Sequence, residues 1–185
     1  GPEIMEVALE VLHAVGRKRD IDFVCVEAPI GGCAIDACGV ALPDATLELA
    51  RRADAVLLGA VGGPRWDSVD PTAPRPEDGL LGIRKELGLY ANLRPVHVYD
   101  VLADASPLKP EAVLGCDILI VRELTGGLYF GEHATVEIAT GTHAHDVMQY
   151  DEHEIERIAH RAFAAAAKRR GKVTSVDKAN VLDTG

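Results

Sequence analysis

No apolar run in these 185 residues approaches the ~20 residues that a membrane-spanning helix needs. Nor does a charged-then-apolar leader open the chain, which reads against a secretory signal. Positive charge is in deficit: 19 Lys and Arg against 29 Asp and Glu give a net charge of −10, which argues against nucleic acid as a partner. No GxGxxG follows a first strand, so a Rossmann dinucleotide fold has no support. No cluster of aspartates suggests a metal site, and no metal ligand is assigned. Cys33 and Cys38 lack a second pair to complete a zinc site. With Cys25 and Cys116 they read as reduced thiols of a cytoplasmic protein. Internal repeats and low-complexity segments are absent.

What is there is an alternation of helix and strand patterns, the mark of an α/β fold. Residues 3–16 read as an amphipathic helix with Ile4, Ala8, Val11, Leu12 and Val15 on one stripe. DFVCVE (22–27) reads as a strand. GGCAIDACGVALPD is a glycine-rich connection with a short helical turn. Residues 44–53 fit a helix, and AVLLGAVGG (55–63) a buried parallel strand, having no polar alternation. Residues 64–78 carry four prolines and no period, a long loop of the kind that often carries function. A helix over 79–87, a strand in LYANLRPVHVY bounded by Pro95, and a buried strand in DILIVREL follow. Residues 132–150 are polar and have no clear period, and His143 and His145 there read as part of a solvated loop. A strong helix over 154–170 precedes KVTSVDKANVL, a strand running into a loop.

Three arginines stand out. Arg84 and Arg94 lie ten residues apart in GLLGIRKELGLYANLRP (79–95), and Arg122 sits inside the apolar run DILIVREL. An arginine in an apolar strand is costly to bury unpaired. Guanidinium forks gathered at one place suit bidentate capture of carboxylates or phosphates. From spacing alone, three separate ion pairs explain them equally well.

The words around these arginines go further. LLGAVGGPRWD, RPEDGLLGIRKELGLYANLRP (75–95), DILIVRELTGGLYFGE (117–132) and VTSVDKANVLDTG (173–185) resemble the 3-isopropylmalate dehydrogenases. These are the leucine-biosynthesis branch of the metal-dependent β-decarboxylating dehydrogenases. The resemblance runs over nearly the whole chain, in family order. It implies a two-domain α/β fold that is not Rossmann, with residues 1–94 part of a cofactor-side domain and 95–185 part of a second. It implies a homodimer whose arm covers about 132–150, and active sites shared between subunits. It also implies that this sequence is incomplete: a strand and glycine turn would precede residue 1, and the metal-binding aspartates and most of the adenosine loop would follow residue 185.

The implied substrate is a 2-hydroxy diacid with a branched apolar substituent, oxidised by NAD and decarboxylated with the help of Mg²⁺ or Mn²⁺. Arg84, Arg94 and Arg122 match the carboxylate-binding positions. Leu80, Leu81 and Val181, with Glu77, match the surround of the isopropyl group, whose burial is worth roughly 1.5–3 kcal/mol. Tyr129 matches a catalytic tyrosine that protonates the enol carbon; taken alone, it reads as a half-buried packing residue. Lys178 matches a catalytic lysine that helps remove the hydroxyl proton, and Asn180 a position beside nicotinamide and substrate. Gly63, Pro64, Arg65, Trp66 and Asp67, with Pro76 and Glu77, match the cofactor-flanking loop, where Trp66 doubles as a packing anchor.

The sequence departs from the family in the arm. HAT stands where PRG is usual, and the expected basic residues are missing from HATVEIATGTHAHDVMQ (133–149). Two other functional readings stay open: a tartrate or D-malate dehydrogenase on the same scaffold, and an inactive piece serving only as a binding or dimerisation module.

Overall fold

A computed structural model describes residues 1–70, 72–182 and 184; Pro71 of the proline-rich loop and Asp183 and Gly185 of the last block lie outside the described residues. The chain divides into two compact units, residues 1–88 and 89–185.

The first unit is helical. Helix α1 spans Pro2–Arg19, with Pro2 and Glu3 in a first turn that needs neither a proline N–H nor a positive charge, and Arg17, Lys18 and Arg19 in the last. It is followed by α2 (Gly32–Cys38), α3 (Asp44–Arg52) and α4 (Pro76–Glu86). Helix α4 begins three residues earlier than its apolar period suggests. Pro76 opens it without losing a bond, and the Asp78 carboxylate accepts the Arg75 N–H at 2.9 Å. The core is small, with Ala34, Ala41 and Ile83 buried. Thr46 is buried too, its hydroxyl donating to the Pro29 carbonyl at 2.8 Å. Helix α4 lies close against residues 30 and 41, where a Cβ on Gly79 would meet the Ala41 carbonyl.

Two expectations fail in this unit. Residues 22–27 and 55–63 form no strand among the described residues. A ladder needs a neighbouring strand, and without one these apolar side chains stand open: Val24 is 88% and Leu57 53% exposed. The α1 stripe is also rotated from its expected place. Ala8 and Leu12 turn inward with Met5 and Leu9, whereas Ile4, Val11 and Val15 face outward with Val7. The helix is apolar around most of its circumference, so its period does not single out the face that packs.

The second unit holds the four strands found among the described residues. Strand β1 (Ala91–His97) pairs antiparallel with β2 (Asp117–Glu123), and β3 (His133–Ile138) with β4 (Gly141–Asp146). Between β1 and β2 lie a 3₁₀ stretch over Asp100–Ala105 and the short α5 (Pro110–Val113). Helix α6 (Glu152–Ala167) follows β4 and packs on β2. Pro95 sits inside β1, not at its boundary, which a two-stranded ladder tolerates because both strands are edges. In β2, Leu119, Val121 and Glu123 are half-buried, while Ile118 and Ile120 on the other face stay open, so DILIVREL is half-buried rather than fully buried. The polar stretch 132–150 contains the β3–β4 hairpin. KVTSVDKANVL (172–182), expected as a strand running into a loop, forms no strand. No described helix is long and apolar enough to cross a membrane.

Candidate functional site

Pairing register decides which side chains share a face. Asn92 lies opposite Arg122 and Arg94 opposite Ile120, so Asn92, Arg94 and Arg122 project from the same face of the β1–β2 ladder. The Arg94 Nε donates to the Asn92 Oδ1 at 2.6 Å, holding its fork in place. Tyr129 joins them. It ends a 3₁₀ turn, Gly127–Tyr129, and the Arg122 guanidinium lies 5.4 Å from the centre of its ring. The turn depends on glycine: Gly127 has φ 76°, and a Cβ there would stand 2.5 Å from the Tyr150 hydroxyl. Arg94 is exposed, Arg122 half-buried and Tyr129 63% exposed. Two guanidinium groups and a phenol therefore share one open face, an arrangement able to receive a carboxylate pair beside a proton donor.

The opposite face is structural. Glu123 accepts from Arg157 of α6, at 2.7 Å to Nη2 and 3.2 Å to Nε, and from the Thr125 hydroxyl at 2.9 Å. Arg157 also stacks 4.6 Å from the Tyr90 ring, and Arg161 donates to the Tyr90 hydroxyl at 2.7 Å. Burial pushes the Glu123 carboxyl up, but its bonds to Arg157 and Thr125 outweigh that and hold it below the usual carboxylate range. The knot fixes α6 behind the ladder that carries Arg94 and Arg122.

In the first unit, the cofactor-flanking residues fall into one region. Gly63 precedes a 3₁₀ turn over Pro64–Trp66, and the Glu77 carboxylate of α4 sits against Gly62. Trp66 lies against Gly32 and donates from Nε1 to Asp36 at 3.1 Å; Arg65 pairs with the same carboxylate at 3.3 Å. Trp66 thus anchors the loop to α2. Asp67 and Pro64 are exposed, and Pro76 is buried. Leu80, Leu81 and Arg84 lie half-buried along α4.

The family model for isocitrate/isopropylmalate dehydrogenase matches residues 1–185. The chain belongs to this family. It is 60% identical over 185 residues to 3-isopropylmalate dehydrogenase from Moorella thermoacetica, and 57% identical over 186 residues to that from Clostridium acetobutylicum. In each case the match takes in 100% of this chain and 52% of the relative, so the chain spans about half the length of the curated relatives it matches. Among solved structures, the β-decarboxylating dehydrogenase from Thermococcus kodakarensis aligns at TM-score 0.66 and 38% identity, over 99% of this chain and 47% of its own. Isocitrate dehydrogenase from Methylococcus capsulatus aligns at 0.70 and 29%, over 100% and 50%. Those alignments place the α/β architecture within the isocitrate/isopropylmalate dehydrogenase fold.

Seen against the family, the site residues divide into three groups. Arg94, Arg122 and Tyr129 are brought together within the second unit. The loop 63–67 and residues 76–84 belong to the first. Lys178, Asn180 and Val181 form a separate exposed turn, in which the Lys178 carbonyl accepts from Val181 and Leu182 at 2.9 and 3.0 Å. Asn92 went unnoticed in the sequence, although its position two residues before Arg94 on a strand puts both on one face. No described group of three His, Cys, Asp or Glu residues is placed to hold a metal.

Proposed function

We propose that this chain is part of an NAD-dependent 3-isopropylmalate dehydrogenase, which converts (2R,3S)-3-isopropylmalate to 2-oxoisocaproate in leucine biosynthesis. The observation that carries this reading is the gathering of Arg94, Arg122 and Tyr129 on one open strand face, in a chain 60% identical to an enzyme of that name. Arg94 and Arg122, with Arg84, bind the two substrate carboxylates as fixed forks that stay charged at any working pH. Asn92 holds Arg94 in register. Tyr129 donates its phenolic proton to the enol carbon left by decarboxylation. Lys178 takes the hydroxyl proton, supplied from the partner subunit of a cytoplasmic homodimer whose arm is residues 132–150. Leu80, Leu81 and Val181 surround the isopropyl group.

For NAD, the fit rests on the Gly62–Gly63 turn, both at positive φ, and on Glu77 beside it, a carboxylate able to accept ribose hydroxyls. NAD held there would supply the acceptor for the hydride leaving substrate C2. For Mg²⁺ or Mn²⁺ the described residues supply no fitting set of ligands. The first unit is read as part of the cofactor-side domain and the second as part of the domain bearing the arm.

The deciding experiment is NAD reduction with 3-isopropylmalate and Mn²⁺, run on this chain and on one extended to the length of its relatives. Turnover by the extended form is expected. A folded extended form that ignores 3-isopropylmalate but oxidises D-malate or tartrate would replace the substrate assignment. Carboxylate binding with no turnover by either form would leave only a binding module.

A further inference from the structure

Tyr129 is 63% exposed, so its place is set less by its own contacts than by the backbone turn that carries it. That turn is clasped by residues 147–150, the connection between β4 and α6. The Gly127 N–H donates to the Gln149 carbonyl at 2.8 Å, and the Val147 N–H to the Glu132 carbonyl at 2.8 Å. Inside the turn the Gly131 N–H donates to the Gly127 carbonyl at 3.0 Å. A Cβ on Gly131 would collide with the Val147 carbonyl.

Tyr150 closes the clasp. A Cβ on Gly126 would stand 2.8 Å from its ring; one on Gly127 would stand 2.5 Å from its hydroxyl oxygen and 2.9 Å from the ring carbon that bears it. One side chain therefore covers both glycines, and Gly127 is buried although Tyr129, two residues on, is open. Only glycine allows so close an approach. Tyr150 is itself held in place by the start of α6. The N–H of Asp151, next in the chain, donates to Oε2 of Glu154 at 2.9 Å, and that same oxygen lies beside Gly126. Glu154 pairs with Arg157 at 3.5 Å, and Arg157 donates to the Thr125 hydroxyl at 2.6 Å. Tyr150, Glu154 and Arg157, at helical spacings of four and three, thus frame residues 125–127.

We propose that Tyr150 is a positioning residue for Tyr129: its ring, packed on Gly126 and Gly127, fixes the turn that aims the Tyr129 phenol beside Arg122. This deepens the reading of Tyr129 as the proton donor and rests on it. The placement of a reacting group has a steep effect, since a misplacement of about 1 Å can cost about 10²-fold in rate.

The test is a double-mutant cycle in the enzyme extended to the length of its relatives, with kcat and KM for 3-isopropylmalate measured for the native form, Y150A, Y150F, Y129F and the Y129F/Y150A double variant. Y150A is expected to lower kcat about 10- to 100-fold and leave KM near native. Y150F keeps the ring on both glycines and should restore most of the rate. In the Y129F background Y150A should cost nothing further, because aiming the phenol matters only while the phenol is there. Amide exchange over residues 124–132, followed by mass spectrometry, should be faster in Y150A and native in Y150F. A loss in Y150A that adds to that of Y129F, a rise in KM matching the fall in kcat, or native exchange rates in Y150A would overturn the proposal. Failure of the underlying reading shows separately, as a native extended enzyme without turnover or a Y129F variant with native kcat, and either would remove the role that Tyr150 serves.

Discussion

Arg122 and Tyr129 touch each other, yet their proposed roles differ enough to be separated by substitution. Arg122→Lys keeps the charge and loses the planar fork. A hydrogen bond to a charged group is worth about 1.5–3 kcal/mol, so kcat/KM should fall roughly 10- to 100-fold, with much of the loss in KM. Tyr129→Phe keeps the ring that the guanidinium rests against and removes only the proton donor. It should leave KM near native and lower kcat by about 10²–10⁴-fold, the usual worth of a positioned acid. Steady-state kinetics on the extended enzyme measures both. Equal effects on KM and kcat in the two variants would show that Tyr129 merely supports Arg122. The arginines were legible in the sequence because a cation in an apolar strand demands an explanation. Tyr129 was legible only through the family resemblance, and Asn92 not at all, since an asparagine before an arginine carries no signal until the register is known.

The elements were legible unevenly, and the reason is physical. Helices α1, α3, α4 and α6 are set by contacts within a few residues, so period and capping acids found them to within three residues. Strands depend on partners far away in sequence. DFVCVE and AVLLGAVGG carry strand composition, yet no described segment lies alongside to receive their bonds. The β3–β4 hairpin went the other way. Its turn, Ala139-Thr140, lacks the usual Asn-Gly signal; the positive φ falls on Gly141 instead. The Glu123–Arg157 pair is an element-scale device of the same kind, joining β2 to a helix 34 residues on. Its side chains are 8% and 29% exposed, so it is worth more than a surface ion pair. Glu123 is held below its ordinary pKa in the folded state. Its contribution is therefore fully present above the unfolded-state value and lost as pH falls through the folded one. Glu123→Gln should destabilise the packing of α6 on β2 by about 1–2 kcal/mol at neutral pH. The penalty should begin to shrink as pH falls below the ordinary glutamate value, about 4.3, and vanish only below the lowered folded value. Amide-exchange protection in α6, corrected for intrinsic rates, reads this directly. A penalty unchanged between pH 7 and pH 3 would mean that packing, not charge, holds the helix.

At the scale of the whole molecule, surface area is the governing quantity. The chain exposes 14273 Å². A monomeric protein of 19.7 kDa is expected to expose about 8,600 Å², and two independent domains of half that mass about 10,400 Å² together. The surplus is roughly 4,000 Å² even against two independent domains. It exceeds one partner's share of even a large obligate interface, which buries up to about 5,000 Å² over both sides. Among the described residues no large side chain is fully buried, and Ile4, Val7, Val11 and Val15 form an open apolar stripe along α1. Apolar faces on this scale drive association, and the open strand edges of both two-stranded ladders add backbone donors and acceptors to it. The isolated chain should therefore bind 8-anilinonaphthalene-1-sulfonate strongly, sediment as concentration-dependent assemblies and melt without a sharp transition. Extending it to the length of its relatives should abolish the dye signal and give a cooperative melt. A monomeric, dye-silent 185-residue chain with a sharp melt would overturn this reading.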